Sequence, residues 1–227
     1  MFDWLKKKMK ASRPPEIRDA LFGDKPLEEW PPDSSESGSA QPWDSFISVR
    51  KRLESKDRAG AIQLLRDIVG RQGLEARHYV QGWHFLRQLG VAPEPAIAKQ
   101  VLGVVVEVGM SQGLDLLAAY VGNSARYFNY SGNAVIWDAS DASLDPYIQR
   151  LLTAGQNVAD AIGPWDKDRP PAPPSGQVRL SMLTPSGLHF GQGPFEALAN
   201  DDMGGPVIQA ATQLMQQLIA KAEASRA

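Results

Sequence analysis

Four short alternating apolar segments fill the middle of this chain, at residues 101–108, 114–121, 125–130 and 134–138. The breaks between them are Gly109-Met110-Ser111-Gln112-Gly113, Gly122-Asn123-Ser124 and Ser131-Gly132-Asn133. A two-residue period interrupted by Gly and Asn predicts an antiparallel meander, because those residues accept the backbone angles that tight hairpins demand. A meander has an apolar face that other elements must cover, so it limits what the flanking sequence can be.

The flanks divide by period. From Trp43 to Gly90 the apolar spacing becomes helical. Trp43, Phe46, Ile47, Arg50 and Leu53 fit one face, Ala61, Ile62, Leu65, Ile68 and Val69 form a second stripe, and Tyr79, Trp83, Leu86 and Leu89 a third. Gly90, followed by Pro93 and Pro95, ends the third helix. After the meander, Asp145-Pro146 opens a helix that runs to about Ile162, where Gly163-Pro164 stops it. Residues 178–184 and 187–190 predict one more hairpin, and residues 206–224 a final helix.

The expected fold is α+β. An antiparallel meander sheet of about six strands carries helices on one face, preceded by a small three-helix layer and a disordered N-terminal tail. The parts are a flexible tail and linker at 1–42, a helical layer at 43–95 and a sheet domain at 96–227, the last two forming one compact unit. The order of the sheet block resembles profilin-like and roadblock-like domains in outline, with no shared motif. Gly113-Leu114-Asp115 and Ser124-Ala125-Arg126-Tyr127 resemble stretches of bacterial proteins. Neither resemblance assigns a role to any residue.

Composition narrows the chemistry. There are no cysteines, which excludes disulfides, thiol nucleophiles and Cys-ligated metal centres, and makes the cytoplasm the expected location. The net charge of −2 leaves no electrostatic footprint for nucleic acid. Charge is nonetheless segregated: residues 19–44 hold seven acidic groups and one basic, residues 45–100 ten basic and five acidic. No apolar run approaches the ~20 residues of a membrane span. Residues 1–10 place Phe2, Leu5 and Met9 beside four lysines, a pattern suited to weak peripheral contact with an anionic membrane.

Motifs with chemical meaning are sparse. His78 and His84 stand six residues apart, ~120° around a helix, and do not converge on one ion. The run from Asp138 to Asp145 lacks calcium-loop spacing and reads as a helix-capping turn, as does Asn200-Asp201-Asp202. Gly187, Gly191 and Gly193 lack the lysine of a phosphate loop. A Ser/His pair would need Ser181 or Ser186 beside His189, and no nucleophile elbow frames either. No catalytic residue, metal or cofactor is assigned.

Candidate binding residues are of three kinds. Trp4, Phe22 and Trp30 are aromatics spent in a polar, proline-rich tail. Arg126, Tyr127 and Tyr130 alternate on the third strand. His189 and Phe190 lie in a Gly/Pro-rich stretch where backbone can approach a ligand. The acidic, hydrophobic segment 21–30 is expected to dock on a basic surface, the chain's own helices among them. The expected function is a non-catalytic interaction or accessory domain with a docking tail, joining a protein partner or a second copy. The alternative is a small-molecule-binding or hydrolytic domain using a sheet/helix groove near His189.

Overall fold

A computed structural model describes residues 14–30, 42–139 and 141–224. The helices are α1 (Pro14–Phe22), α2 (Trp43–Glu54), α3 (Arg58–Gly70), α4 (Ala76–Gln88), α5 (Asp145–Ala161), α6 (Phe195–Ala199) and α7 (Gly204–Ala224). The strands are β1 (Gly103–Met110), β2 (Gly113–Tyr120), β3 (Ser124–Phe128), β4 (Ala134–Asp138), β5 (Gln177–Thr184) and β6 (Gly187–Pro194). They form a single antiparallel sheet in the order β4-β3-β2-β1-β5-β6. The meander supplies four adjacent strands, and the later hairpin adds β5 to the free edge of β1. The α+β class and the six-stranded sheet are those the periodicity predicts. No helix among the described residues is long and apolar enough to cross a membrane.

Strand parity sorts the sheet into two faces. Val104, Val106, Leu117, Ala119, Ala125, Trp137, Leu180 and Met182 point to one, where α5 and α7 cover them. Gly155 lets α5 come close: a Cβ there would lie 2.5 Å from Val104 Cγ2 and 3.3 Å from Met182 Cγ. Val105, Leu116, Ala118, Tyr120 and Leu183 point to the other face, where they meet Leu21 and Phe22 of α1 and Ala76 and Val80 of α4. The three-helix layer therefore roofs this second face. Its own core is Phe46, Val49, Ala61, Leu65, Ile68, Phe85 and Leu86. Because both faces are covered, Phe128 and Tyr127, on opposite sides of β3, are each packed against a helical layer.

Within the stretch read as tail, residues 14–30 are packed on the domain. Leu21 and Phe22 are buried beneath α4, and Trp30 is buried against Trp43 and Phe46, with ring centroids at 5.1 and 5.9 Å. Apolar contact outweighs the Pro-rich, acidic character of the segment here, since each such side chain removed from water contributes ~2 kcal/mol. Gly23 ends α1 with φ +58°, and a Cβ there would sit 2.9 Å from Val80 Cγ1. The Ser/Pro-rich segment 31–41 and residues 1–13, with the lysine-rich amphipath, lie outside the described residues.

The capping turns behave as their residue types require. Asp141 accepts a hydrogen bond from Ser143 N, and Asp201 accepts from Met203 N and Gly204 N at the start of α7.

Candidate functional site

The α1/α4 side of the sheet carries the molecule's buried charges. Glu107 interrupts the Val run of β1 and is fully buried. Across the ladder its partner is Arg179 on β5, whose Nη1 donates to Glu107 Oε2 at 3.2 Å. From above, Arg18 of α1 donates through Nε to Glu107 Oε1 at 2.6 Å. Both arginines also donate to carbonyls of the proline loop, Arg18 to Pro170 O and Arg179 to Pro170 O and Pro171 O. Gln192 of β6 accepts from Arg179 Nε at 2.9 Å. Burying these charges is tolerable because Glu107 is paired by both arginines and every guanidinium nitrogen of Arg179 has an acceptor.

A second set adjoins the first. Arg169 donates to Asp24 through Nε and to Asp19 through Nη2, each at 2.6 Å, and these contacts raise its pKa against the effect of burial. Phe22 lies beneath two guanidinium groups, Arg169 at 4.5 Å and Arg18 at 5.7 Å from its centroid. On the far side Arg179 stands 5.4 Å from the ring of Phe190, which meets Trp165 edge-on at 5.2 Å. Helix α1 is thus clasped to the sheet by ionic and cation–π contacts as well as by Leu21 and Phe22.

Beside this clasp opens a cleft of about 850 Å³. One wall is the end of α1 with residues 23–26, another is His84 and Arg87 of α4, a third is the loop 164–169, and the floor is the β5–β6 turn. Arg87 Nη1 donates to Pro185 O of that turn at 2.8 Å. Burial lowers the Arg87 pKa to about 10. Burial, reinforced by the Arg87 charge, lowers that of His84 to about 4, so the imidazole is neutral at pH 7. The carboxylate oxygens of Asp24 are both committed to Arg169.

The turn brings Ser186 and His189 together. Ser186 Oγ lies 3.1 Å from His189 Nε2 and 2.9 Å from Thr184 Oγ1, while His189 Nδ1 lies 3.2 Å from Ile162 O. A backbone carbonyl can only accept, so Nδ1 carries the proton and Nε2 accepts from the serine. Burial lowers the His189 pKa. No carboxylate of a described residue orients the ring. His189 pairs with Met182 in the ladder, which places it on the α5/α7 face, away from the arginines. The hydroxyl is drawn toward that face and the histidine is fully buried. The pair has the contact of a nucleophile and base, and Ser186 lines the cleft, but no carboxylate of a described residue completes a triad and the imidazole is buried.

The predicted site residues are therefore dispersed. Phe22, His189 and Phe190 border the clasp, the cleft or the turn. Trp30 is in the three-helix core. Arg126 pairs with Asp138 at 2.6 Å and donates to Trp137 O, tying β3 to β4. The Tyr127 hydroxyl donates to Asp115 Oδ2, and its pKa is pushed up to about 12, mainly by burial. Tyr130 is exposed at the β3–β4 turn. Trp4 lies outside the described residues. Sequence reasoning overlooked Glu107, Arg179, Arg169 and Arg87. A lone glutamate in an apolar strand was the available signal, since such a charge implies partners. Comparison with protein-family models, with curated proteins and with solved structures found no match.

Proposed function

We propose that the protein is a non-catalytic binding domain that takes a small molecule in the cleft between α1, α4, the loop 164–169 and the β5–β6 turn. The observation that carries this reading is the cleft itself, whose volume suits a small ligand and whose walls combine aromatic surface with a few oriented polar groups. The segment expected to seek a partner is spent inside the molecule, which moves weight from the interaction reading to the ligand-binding one. A hydrolytic role is set aside because no carboxylate of a described residue orients His189, which is fully buried on the α5/α7 side of the sheet. The lack of cysteine supports a cytoplasmic setting for this binding role.

A thermal-shift panel of small metabolites sorted by charge, run on the full chain beside a fluorophosphonate probe, tests the reading. At least one class should raise Tm with ligand concentration, and Ser186 should stay unlabelled. Failure of every class to shift Tm, or labelling that Ser186→Ala abolishes, would overturn it. The second reading, an interaction domain for a protein partner or a second copy, is favoured by one feature: beside its apolar contacts α1 is held by the ion pairs of Arg18 and Asp19, which an equivalent helix of a partner can exchange. Light scattering and cross-linking of the full chain test it, with a discrete complex or dimer expected and a bare monomer opposing it.

A further inference from the structure

We propose that the ligand of this cleft is a small organic monocarboxylate, with its carboxylate seated on Arg87 and its apolar body against Trp165. This inference rests on the cleft being a ligand site and adds what the site selects.

Arg87 is the residue that needs a partner. A guanidinium carries five N–H donors in a planar fork. One of these, through Nη1, reaches Pro185 O, and among the described residues no other hydrogen bond or ion pair engages the group. The arginine is half-buried, and Asp24, whose charge acts on it, stands beyond ion-pair distance with its carboxylate engaged by Arg169. Its neighbours in the molecule are handled differently: Arg18 and Arg179 share Glu107, and Arg169 holds Asp19 and Asp24. A half-buried cation left over where three others are paired is what a bound anion compensates. The adjacent His84 ring makes no hydrogen bond to a described residue, and neutral imidazole can donate to a carboxylate oxygen.

The rim sets the charge of the ligand. Glu29, Asp166 and Asp168 line the same cleft and are exposed, against Lys25 and Lys167 on the same lining, so the rim is acidic by one charge and gives a polyphosphate or polycarboxylate no net attraction. A single negative charge suits one arginine. Trp165 is 39% exposed and contributes an aromatic surface to the cleft wall, which favours an organic body over a bare inorganic ion.

Calorimetric titration of the full chain with phenylacetate, 2-phenylethanol, inorganic phosphate and ATP tests the proposal. Phenylacetate should bind, and 2-phenylethanol, phosphate and ATP should bind at least roughly tenfold more weakly, as expected when a charge-assisted fork contact is lost or opposed. Arg87→Gln should weaken phenylacetate by roughly tenfold to a hundredfold, and Arg87→Lys, which keeps the charge and a donor for Pro185 O, should fall between. Circular dichroism of both variants establishes that they fold. If R87Q is misfolded, R87K alone decides, since a folded R87K with unchanged affinity overturns the proposal. Equal binding of 2-phenylethanol, or preference for ATP, also overturns it while leaving the cleft a ligand site. Failure of every probe to bind, with no hit in the metabolite panel, removes both readings.

Discussion

The two faces of one sheet are built on opposite physical plans. Under α5 and α7 the strands present Val104, Val106, Leu117, Ala119, Leu180 and Met182, and helices and sheet meet mainly through hydrocarbon, with neutral His189 at one end as a polar exception. Under α1 and α4 the same strands present Val105 and Leu183 beside Glu107 and Arg179, and part of the interface is a charge network with a cleft at its margin. The residues that differ are neighbours in sequence, as Val106 and Glu107 are. A close-packed apolar face gives stability without specificity for a ligand. The charged face gives up some of that packing and gains oriented donors, which is why the candidate site lies there.

The contrast can be broken by removing the keystone of each face. Glu107→Ala leaves Arg18 and Arg179 buried without their carboxylate and should cost about 3–5 kcal/mol in urea unfolding. It should also speed proteolysis near Gly23, because α1 loses its clasp. Met182→Ala on the dry face should cost about 2–4 kcal/mol through its cavity, with no change at Gly23. If E107A costs under about 1 kcal/mol, the charge network does not hold α1.

Acid should separate the faces by another route. His78 is buried among Trp30, Trp43 and Phe46 with neither ring nitrogen bonded to a described residue, and burial lowers its pKa from 6.5 to about 4. His84, at the cleft, is lowered to the same value. A histidine with a depressed folded pKa binds its proton more readily when unfolded, so stability is full above about pH 6.5 and falls as pH drops toward 4. The loss for His78 reaches roughly 3 kcal/mol at pH 4 by that linkage. His78→Phe should flatten the profile between pH 6.5 and 4, and an unchanged profile would remove His78 from the account.

Smaller changes sharpen the comparison. Gly155→Ala forces a Cβ against Val104 and should cost about 1–3 kcal/mol, reporting how closely α5 is seated on the dry face. Tyr120→Phe removes the 2.7 Å hydrogen bond from the tyrosine hydroxyl to Leu21 O at the end of α1. It should cost about 1 kcal/mol in denaturant melts.

Much of the dry face is legible in the sequence, and little of the charged one. Alternation in 101–138 encodes the meander, and helical spacing over 206–224 encodes the final helix, because both patterns are local. The clasp joins residues 18, 107, 169 and 179, separations that no local period records. The proline run at 170–174 reads as a connecting loop, and only the folded chain reveals its carbonyls as acceptors for Arg18 and Arg179. Trp30 and Phe22 stood out as aromatics in a polar tail. Their destination, the chain's own core and sheet, follows from the geometry of α4 and cannot be read from the tail itself. Arg87 looks like any basic residue on a helix until the β5–β6 turn is placed beside it.

The central claim is that ligand chemistry belongs to the α1/α4 side of the sheet. Amide chemical-shift mapping of the full, isotope-labelled chain during a phenylacetate titration tests it most directly. The account predicts saturable shifts concentrated at Asp24, Lys25, Arg87, Ser186 and Gly187, with α7 unmoved. Shifts centred on α5 and α7, or none at any residue, would contradict it.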